Sequence, residues 1–523
     1  MKGLLSPLLH VQRLFVPALV LLVVWAVWRT ARRKDGAVGL ALYLGLVIFA
    51  DGFFNTGIYL PGLEKGSIRY SEFCAIFLLA APRPSGDRVR WRTFSLLVAT
   101  YFVLLFASAL RSSSVVAGVF EFRGLIVPQI VAFAVARRGL KTKDDYRRFI
   151  LHLATIVLVV GLFDLWDIVF DRWLLHSDSL FTGKYFMNRT HGRYGSVFLN
   201  PNMLGAFMVL VFPALFIWTM SEPVRWRRFY GWSALLALAF CVVETQSRGP
   251  MLALAGAVPL LSIGPCGGVS RRRRLAYLGL FLVLFATFMP GFLDHATERF
   301  AEIDKEMTTD DARTRQTVWL YARRMIADHP VIGIGFGEKQ FLATIDTYGF
   351  RDRYDEAPLD NPHNSYLQMT VYAGLPALAS FLLANLALLW RAGRITVDNA
   401  SDSSPQIVFG FAIGVAGFLA SAYPDMHLFT RDVGPAYWLV CGLLVSLVAQ
   451  KGSSSARASA TTPTFHALSS ELGLARRRPT PAPRRATRPS IVGQKSSPGQ
   501  SSSPSSALLV AQRPSAGRKQ ALS

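Results

Sequence analysis

The chain has few residues of the kinds that hold metals, form disulfides or balance positive charge. Its 523 residues include four cysteines and nine histidines, and only 33 acidic residues stand against 56 Lys and Arg. The cysteines show no paired spacing, and no two histidines fall at a metal-ligand interval. We therefore predict neither a disulfide framework nor a bound metal or other cofactor, and expect the cysteines to be small core residues. They are Cys74, Cys241, Cys266 and Cys441.

The shortage of acidic residues leaves a formal net charge of +23, yet its distribution argues against a nucleic-acid partner. Many basic residues lie in alternate short connections between apolar runs, which is the pattern of cytoplasmic loops. The rest are concentrated in residues 451–523, a Ser-, Pro-, Ala- and Arg-rich stretch whose only acid is Glu471. Because this stretch cannot bury enough apolar surface to fold, we predict a disordered basic cytoplasmic tail. It should be attracted to anionic membrane lipids; binding to a specific partner is the alternative.

Apolar residues are abundant, at 52% of the chain with a mean hydropathy of +0.33. They form repeated runs long enough to cross a bilayer, so we predict a multi-pass, all-α integral membrane protein with about 12–13 transmembrane helices. The first run could instead lie in the interface or act as an uncleaved anchor. The runs lie near 11–28, 37–54, 68–82, 93–110, 114–136, 147–170, 200–220, 229–243, 249–264, 275–292, 364–390, 405–423 and 434–450.

The connections that alternate with these basic loops should lie on the outer side of the membrane. The longest, residues 293–362, is acidic and has enough patterned sequence to fold in part. In it, Asp310 or Asp311 can cap a helix that runs to about Asp328. A glycine-rich turn follows, Gly333-Ile-Gly-Phe-Gly337, which we expect to pack against the mouth of the membrane domain because no strand precedes it. The other outer connections are 55–67, 171–199 and 424–433.

Three separated stretches place ionisable groups at the end of an apolar run or in the long outer loop. They are Ser247-Arg248-Gly249, Arg315 with Trp319 one turn later, and His363-Asn364. Arginine beside a bilayer is costly, so its default interpretation is a binding or catalytic site. A guanidinium can hold phosphate oxygens in a bidentate manner, and imidazole titrates near neutral pH. The set is therefore suited to a phosphate-bearing substrate and a proton acceptor.

The same stretches, in this order with two further motifs, carry a family resemblance. Phe198-Leu-Asn-Pro-Asn-Met-Leu-Gly205 precedes Ser247-Arg248-Gly249, and Arg315-x-x-x-Trp319 is followed by Asp328-His-Pro330 and the glycine-rich turn. His363-Asn-Ser-Tyr-Leu367 then leads into Gly374-Leu-Pro376. Over about residues 195–390, the chain resembles the O-antigen ligase and O-antigen polymerase superfamily of bacterial membrane glycosyltransferases.

This resemblance implies the transfer of a glycan from undecaprenyl diphosphate at the periplasmic face of the bacterial inner membrane. The enzyme would be metal-independent and inverting. The acceptor would be lipid A-core in a ligase, which the motif order and the single large late loop favour. The alternatives are an O-antigen or exopolysaccharide polymerase, a protein O-oligosaccharyltransferase and a polysaccharide transporter. Together with the span pattern and the composition of the tail, the resemblance predicts three parts: N-terminal transmembrane helices over 1–199, a ligase-like core over 200–450 with the periplasmic loop 293–362, and the tail 451–523.

The family's functional residues correspond to Arg248, Arg315 and His363. We predict that the two arginines bind the diphosphate and that His363 is the general base or orients the acceptor. The plainer alternatives are an interfacial arginine at 248, an Arg315 ion pair with Asp311, and a helix cap at 363. Further candidates for substrate binding are Arg313, the main rival of Arg315, together with Asn200, Asn202, His191, Arg193, Asp360 and Tyr366. For Asn200 and Asn202 a structural role at the start of a helix is the favoured alternative.

Overall fold

The computed structural model describes residues 21–33, 35–53, 57–58, 68–80, 92–140, 142–169, 195–198, 200–264, 270–288, 314–354, 358–398 and 403–461. These residues form an all-α membrane protein, with one two-residue antiparallel ladder, Gly57–Ile58 with Ile68–Arg69. The helices are α1 (21–32), α2 (Gly36–Gly45) with a π-helical extension (Leu46–Phe53), α3 (Tyr70–Ala80), α4 (Arg92–Leu110), α5 (Val115–Leu125), α6 (Val127–Gly139), α7 (Lys143–Val169), α8 (Pro201–Ser221), α9 (Arg225–Thr245), α10 (Arg248–Ile263), α11 (Arg271–Phe288), α12 (Arg315–Asp328), α13 (Glu338–Thr347), α14 (Phe350–Arg353), α15 (Ser365–Asp398), α16 (Ser403–Ser421) and α17 (Val433–Thr461).

Each predicted apolar run contains a helix. In the described part of the chain, five helical stretches are long and apolar enough to cross a membrane, and five shorter helices are also apolar. The long ones are Arg92–Leu110, Val115–Gly139, Lys143–Trp166, Pro201–Ser221 and Ser365–Thr396. The membrane class is therefore confirmed, whereas the count of 12–13 spans stays a prediction.

Helix α8 forms the centre of the bundle. From Pro201 to Met220 nearly every residue is buried, so this helix contacts protein on all sides and presents no face to lipid. Small residues allow α16 to pack closely against it: a Cβ on Gly414 would lie 2.1 Å from the carbonyl oxygen of Leu210. Close backbone approach through small residues is the usual means of helix association in membranes, because lipid tails are as apolar as leucine side chains.

The predicted run 114–136 is not one continuous helix. It divides at Ile126 into α5 and α6, with Pro128 in the first turn of α6. Proline is tolerated at the start of a helix but disrupts a helix interior, so it marks the new beginning. The apolar pattern continues without interruption across the break, which explains why the run reads as a single span.

The helix predicted in the long loop ends at Asp328 as expected but begins later than predicted. Its N-cap is Thr314, whose hydroxyl accepts a hydrogen bond from the Thr317 N–H at 3.3 Å, so the prediction of a cap at Asp310 or Asp311 is wrong for α12. Those two aspartates lie outside the described residues. The described part of the loop also contains α13 and α14, and the outward orientation of the loop remains a prediction.

The glycine-rich turn docks into a break in α15. At Gly374 the backbone is not helical (φ 81°, ψ 175°), and Pro376 has no N–H for the carbonyl of Tyr372. The turn supplies substitutes, because the N–H of Gly335 donates to the Tyr372 carbonyl at 3.3 Å and the N–H of Ile334 to that of Val371 at 2.9 Å. The turn thus packs against the membrane helices, where the sequence predicted it.

The last helix, α17, continues to Thr461, past residue 451 where the basic tail is predicted to begin. Residues 462–523 form a separate unit and lie outside the described residues, so the prediction of disorder there is not tested.

Candidate functional site

One cavity of about 920 Å³ lies between α10 and α16, at the end of the bundle where α8, α10, α12 and α15 begin. Its walls change character along its length. Polar and charged side chains line the end near the helix N-termini, and small or aliphatic residues of the two helices line the rest. The apolar part is lined by Leu252, Ala253, Gly256, Ala257, Leu260, Ile413, Ala416, Gly417 and Ala420.

Arg248 is the first residue of α10 and lines the polar end of the cavity. The residue before it, Ser247, is buried, and its hydroxyl donates to the side-chain oxygen of Asn202 at 2.8 Å. The amide nitrogen of Asn202 donates in turn to the carboxylate of Asp425. The start of α10 is therefore joined to the start of α8 and to the loop that follows α16.

Arg315, the first residue of α12, lies on the same cavity wall. Its Nη2 is 3.6 Å from Oδ2 of Asp425, and its side chain keeps 37% of its surface exposed. The guanidinium is thus held on one side by a buried carboxylate while the other side faces the cavity. The alternative pairing with Asp311 lies outside the described residues.

His363 has a left-handed backbone (φ 46°), which is uncommon for a residue with a side chain. Two neighbours stabilise this conformation. The His363 N–H donates to the side chain of Asn361 at 2.8 Å, and the indole N–H of Trp319 donates to the carbonyl of Pro362 at 2.6 Å. Trp319, one turn after Arg315, therefore fixes the segment that carries His363, which gives the Arg315-x-x-x-Trp319 spacing a structural reason.

The imidazole of His363 lies between two carboxylates. Nε2 is 3.6 Å from Oδ1 of Asp360, and Nδ1 is 3.7 Å from Oδ1 of Asp425. Burial disfavours the charged ring, but the interactions with Asp360 and Asp425 outweigh burial and the repulsion from Arg315. The pKa of His363 is consequently raised from 6.5 to about 9. At neutral pH the ring is an imidazolium.

Asp425 is the central residue of the cluster, although it is not among the residues predicted from the sequence. It lies in the loop 422–432 between α16 and α17, and only 4% of its side chain is exposed. Burial alone would raise the pKa of this carboxyl, but the nearby imidazolium of His363 and the charge of Arg315 hold it below its ordinary value. An acidic residue beside a histidine in a short loop between two apolar spans was the available signal.

A second histidine of the loop, His427, is fully buried and also lines the cavity. Burial lowers its pKa to about 4, although Asp425 opposes the effect. Its Nδ1 lies 3.4 Å from the hydroxyl of Ser421. The two histidines of the site therefore differ in charge at neutral pH, His363 being cationic and His427 neutral.

Ser365 joins the two chain segments that carry His363 and Asp425. Its hydroxyl donates to the Asp425 carbonyl at 2.8 Å and accepts from the Leu428 N–H at 3.3 Å. Its own N–H donates to the same Asp425 carbonyl at 2.9 Å. The separation of His363 and Asp425 is therefore fixed mainly by one buried serine.

The structure brings Arg248, Arg315, His363 and Asn202 to one cavity. Asp360 contacts His363 from a more exposed position. Asn200 and Tyr366 do not line the cavity: Asn200 caps α8 by accepting from the Asn202 N–H at 2.8 Å, and the Tyr366 hydroxyl donates to the Leu419 carbonyl at 2.6 Å. His191, Arg193 and Arg313 lie outside the described residues. The described residues contain no group of three or more His, Cys, Asp or Glu side chains placed to hold a metal ion.

Part of the chain that forms this site is similar in sequence to known proteins. Residues 233–382 match the family model described as O-Antigen ligase, so the predicted resemblance is confirmed. Three similar rickettsial proteins are each named "Putative polysaccharide ligase". Those of Rickettsia typhi and Rickettsia prowazekii are 23% and 24% identical over 141 and 143 residues, each covering 26% of this chain and 32% of the relative. That of Rickettsia bellii is 34% identical over 107 residues, covering 19% of this chain and 26% of the relative.

The matched region covers a third or less of these relatives' own length. The family match includes Arg248, Arg315 and His363 but excludes Asn202 and Asp425. The cluster around the three predicted residues is therefore completed by parts of the chain outside the matched segment.

Proposed function

We propose, with the similarity to O-antigen ligases as the premise, that this protein transfers a glycan from undecaprenyl diphosphate to an acceptor hydroxyl. The transfer would take place at the periplasmic face of the bacterial inner membrane, with lipid A-core as the acceptor. The observation that carries the proposal is a single cavity with a cationic end and an apolar remainder. A lipid diphosphate has the same division, with two phosphates at one end and a hydrocarbon chain at the other.

The charge of the cavity fits a diphosphate. Arg248, Arg315 and the imidazolium of His363 carry three positive charges, against the carboxylates of the buried Asp425 and the more exposed Asp360. The site therefore has an excess of positive charge, which favours the binding of the two negative charges on a diphosphate that joins a lipid to a sugar. Cationic groups held in position before the substrate arrives stabilise the further negative charge that develops as the sugar departs.

The reaction balances without a redox partner. The acceptor oxygen forms a bond to the anomeric carbon, and the bond from that carbon to the diphosphate oxygen breaks. The leaving lipid diphosphate keeps the electron pair, and the proton of the acceptor hydroxyl passes through water to the leaving diphosphate. Direct attack from the face opposite the leaving group would invert the anomeric centre.

The role of His363 follows from its charge. A general base must be neutral before it can accept a proton, and the carboxylates of Asp360 and Asp425 favour the protonated ring. A cationic His363 can donate hydrogen bonds to the diphosphate or to the acceptor. We therefore favour the second of its two predicted roles, the orientation of substrates, together with charge stabilisation.

The alternatives differ in the acceptor or in the absence of chemistry. A polymerase would bind the same lipid-linked donor and transfer the glycan to a second lipid-linked glycan, and a protein O-oligosaccharyltransferase would use a protein hydroxyl. The names of the similar rickettsial proteins support the ligase. A transporter breaks no bond between the sugar and the diphosphate. It would therefore not need three cationic groups to stabilise the charge that develops on the diphosphate.

The proposal is tested with purified protein in vesicles that contain a labelled undecaprenyl-diphosphate glycan. Lipid A-core and a second lipid-linked glycan are offered as competing acceptors. Arg248→Lys keeps the charge but loses the planar guanidinium. The activation free energy of transfer should therefore rise by about 1.5–3 kcal/mol, which lowers the rate roughly 10- to 100-fold. Arg351→Ala is the control, because Arg351 is 71% exposed and pairs only locally with Asp346. Undiminished transfer by Arg248→Lys, or no glycan transfer by the wild type, would contradict the proposal.

A further inference from the structure

The break between α5 and α6 leaves two carbonyl groups without their usual helical donors. Pro128 has no N–H for the carbonyl of Gly124, four residues earlier. The N–H of Gln129 donates to Ile126 at 3.0 Å, so the carbonyl of Leu125 also lacks its usual partner. A carbonyl in apolar surroundings within the membrane must find another donor, because leaving it unpaired is strongly unfavourable.

Two buried side chains provide those donors. The Gln129 side chain, which has none of its surface exposed, donates from Nε2 to the Leu125 carbonyl at 2.9 Å. The guanidinium of Arg69, which is 5% exposed, donates to the Gly124 carbonyl. Each carbonyl freed at the break is therefore paired with a side chain and not with backbone.

The same two side chains also reach the loop 422–432. Nε2 of Gln129 donates to the Leu428 carbonyl at 2.7 Å, and Nη1 of Arg69 donates to the Arg431 carbonyl at 3.3 Å. Each side chain thus bridges one carbonyl of the broken helix to one carbonyl of the loop. Backbone carbonyls carry no sequence information, so nothing in the loop sequence points to this contact.

Arg69 is itself held in place by an acidic partner. Its backbone N–H donates to Oε2 of Glu72 at 3.2 Å, and Glu72, 9% exposed, is also bound by Nη1 of Arg123 at 2.7 Å. The carboxylates of Asp51 and Glu72 offset the burial of the positive charge, which would otherwise be strongly unfavourable. The guanidinium reaches the loop through its hydrogen bond to the Arg431 carbonyl, and its charge also acts on the carboxylate of Asp432.

We propose that Gln129 and Arg69 are positioning residues for Asp425, acting from a part of the chain that lies outside the family match at 233–382. Ser365 holds the loop at Asp425 and Leu428, and the two bridging side chains hold it at Leu428 and Arg431. Neither bridging residue lines the cavity. The inference rests on the proposed function for its catalytic meaning, but its structural consequence can be measured without catalysis.

That consequence concerns the charge of His363. The charged groups that face its ring are Asp425 from the loop, Asp360 from its own segment and Arg315 from α12. If the loop loosens, Asp425 moves away from the ring while Asp360 and Arg315 remain. The imidazolium then loses part of its stabilisation, and His363 should give up its proton at a lower pH.

The test compares Gln129→Met, which keeps the side-chain length but has no donor, with Asn385→Leu. Asn385 is a buried amide that donates within its own helix to Phe381 at 3.0 Å and accepts from Tyr437, so its loss does not touch the loop. Diethyl pyrocarbonate modifies neutral imidazole, and its reaction with His363 is followed against pH by peptide mass spectrometry. The exposed His329 serves as the internal reference.

In the wild type and in Asn385→Leu, modification of His363 should rise only as the pH approaches about 9. In Gln129→Met it should rise at a pH lower by about one unit, and glycan transfer at pH 8 should fall about twofold. Arg69→Lys keeps the charge but can bridge only one of the two carbonyls, those of Gly124 and Arg431, that the guanidinium contacts. It should show a smaller shift in the same direction, and it replaces Gln129→Met if that variant fails to fold.

Unchanged modification of His363 in folded Gln129→Met, or in Arg69→Lys when it replaces that variant, overturns the inference. An equal shift in Asn385→Leu also overturns it, because the effect would then reflect general destabilisation. A wild type that transfers no glycan would overturn the proposed function instead, while the modification experiment would still decide the positioning role.

Discussion

Replacing Asp425 with asparagine tests the site most directly, because it removes one negative charge and keeps the shape of the side chain. Asparagine can still accept the hydrogen bond from the Asn202 amide, so the contact between the loop and α8 can persist. The change therefore isolates the electrostatic effect of the carboxylate on Arg315 and His363, which lie 3.6 and 3.7 Å from its oxygens.

The magnitude follows from the pKa of His363. The difference between its ordinary value of 6.5 and about 9 corresponds to roughly 3 kcal/mol of preference for the imidazolium. Asp360 and Asp425 provide this preference together. Loss of Asp425 should remove about half of it or more, and since burial and Arg315 both oppose the charge, the remaining carboxylate cannot compensate. The protonated fraction of His363 at pH 8, and with it transfer, should fall roughly 3- to 30-fold.

The raised pKa of His363 determines the direction in which transfer changes with pH. A raised pKa means that the stabilisation of the charged ring is complete below about 6.5 and is lost as the pH rises through about 9. Wild-type transfer should therefore be constant up to about pH 8 and then decline. In Asp425→Asn the decline should begin at lower pH, so the variant should be closest to the wild type near pH 6 and furthest from it near pH 8.

The assay is initial-rate glycan transfer in vesicles, measured from pH 5.5 to about 9.5. Asp432→Asn is the matched control: Asp432 is a buried carboxylate of the same loop segment, and its Oδ1 accepts from the Val433 N–H at 2.7 Å where α17 begins, a role that asparagine fills equally well. Superimposable pH profiles for the wild type and Asp425→Asn would refute the reasoning. A wild-type rate that rises through pH 9 would show instead that a neutral His363 acts as the general base.

Two further substitutions test the parts that hold the site together. Ser365→Ala should lower the unfolding free energy by about 1–3 kcal/mol and reduce transfer, because the Asp425 carbonyl and the Leu428 N–H each lose a partner. The control is Ser380→Ala, which loses a bond within its own helix. A thermal unfolding midpoint of Ser365→Ala no lower than that of the control would contradict this prediction. Gly374→Ala should release the glycine-rich turn, because the new Cβ would lie 2.2 Å from the Val331 carbonyl oxygen at a residue with positive φ. Limited proteolysis should therefore cut the turn faster in this variant than in Gly393→Ala, whose Cβ meets nothing within 4 Å. Equal rates of cleavage would contradict the prediction.

The membrane fold and most of the predicted site follow from the sequence because their signals are local. Apolar runs report burial in lipid or protein directly, and an arginine at the start of such a run is unusual on its own. Arg248, Arg315 and His363 could therefore be recognised one at a time, before any contact between them is known. Their arrival in one cavity agrees with the prediction that all three lie at the same side of the membrane.

Asp425 could not be recognised in the same way, because its importance arises only from residues distant in the chain. It follows His363 by more than sixty positions, and its other partners, Asn202 and Arg315, lie on two further helices. An aspartate in a short polar loop is ordinary until those neighbours are known. The bridges from Gln129 and Arg69 were still harder to predict, because both end on backbone carbonyls.

The start of α12 shows a different reason why prediction from the sequence fails. Asp310, Asp311 and Thr314 are all good N-cap residues, and capping preferences do not separate them. The choice depends on where the apolar side of the helix meets the rest of the protein. Val318, Ala322 and Met325 are fully buried, and Thr317 largely so, which fixes the rotation and the first turn of the helix.

The break in α15 has a consequence for how the site responds to the bilayer itself. The segment from Ser365 to Ala373, directly after His363, is joined to the glycine-rich turn and to α4 by its own hydrogen bonds, since the Ser108 hydroxyl donates to the Tyr372 carbonyl. The remainder of the helix, beyond Pro376, exposes Leu382, Leu383, Leu386 and Trp390 to its surroundings. A thicker or thinner membrane changes the tilt of such an exposed helix. Because the helix is interrupted at Gly374, we expect a change in the tilt of that portion to be transmitted less to the segment beside His363 than it would be through a continuous helix.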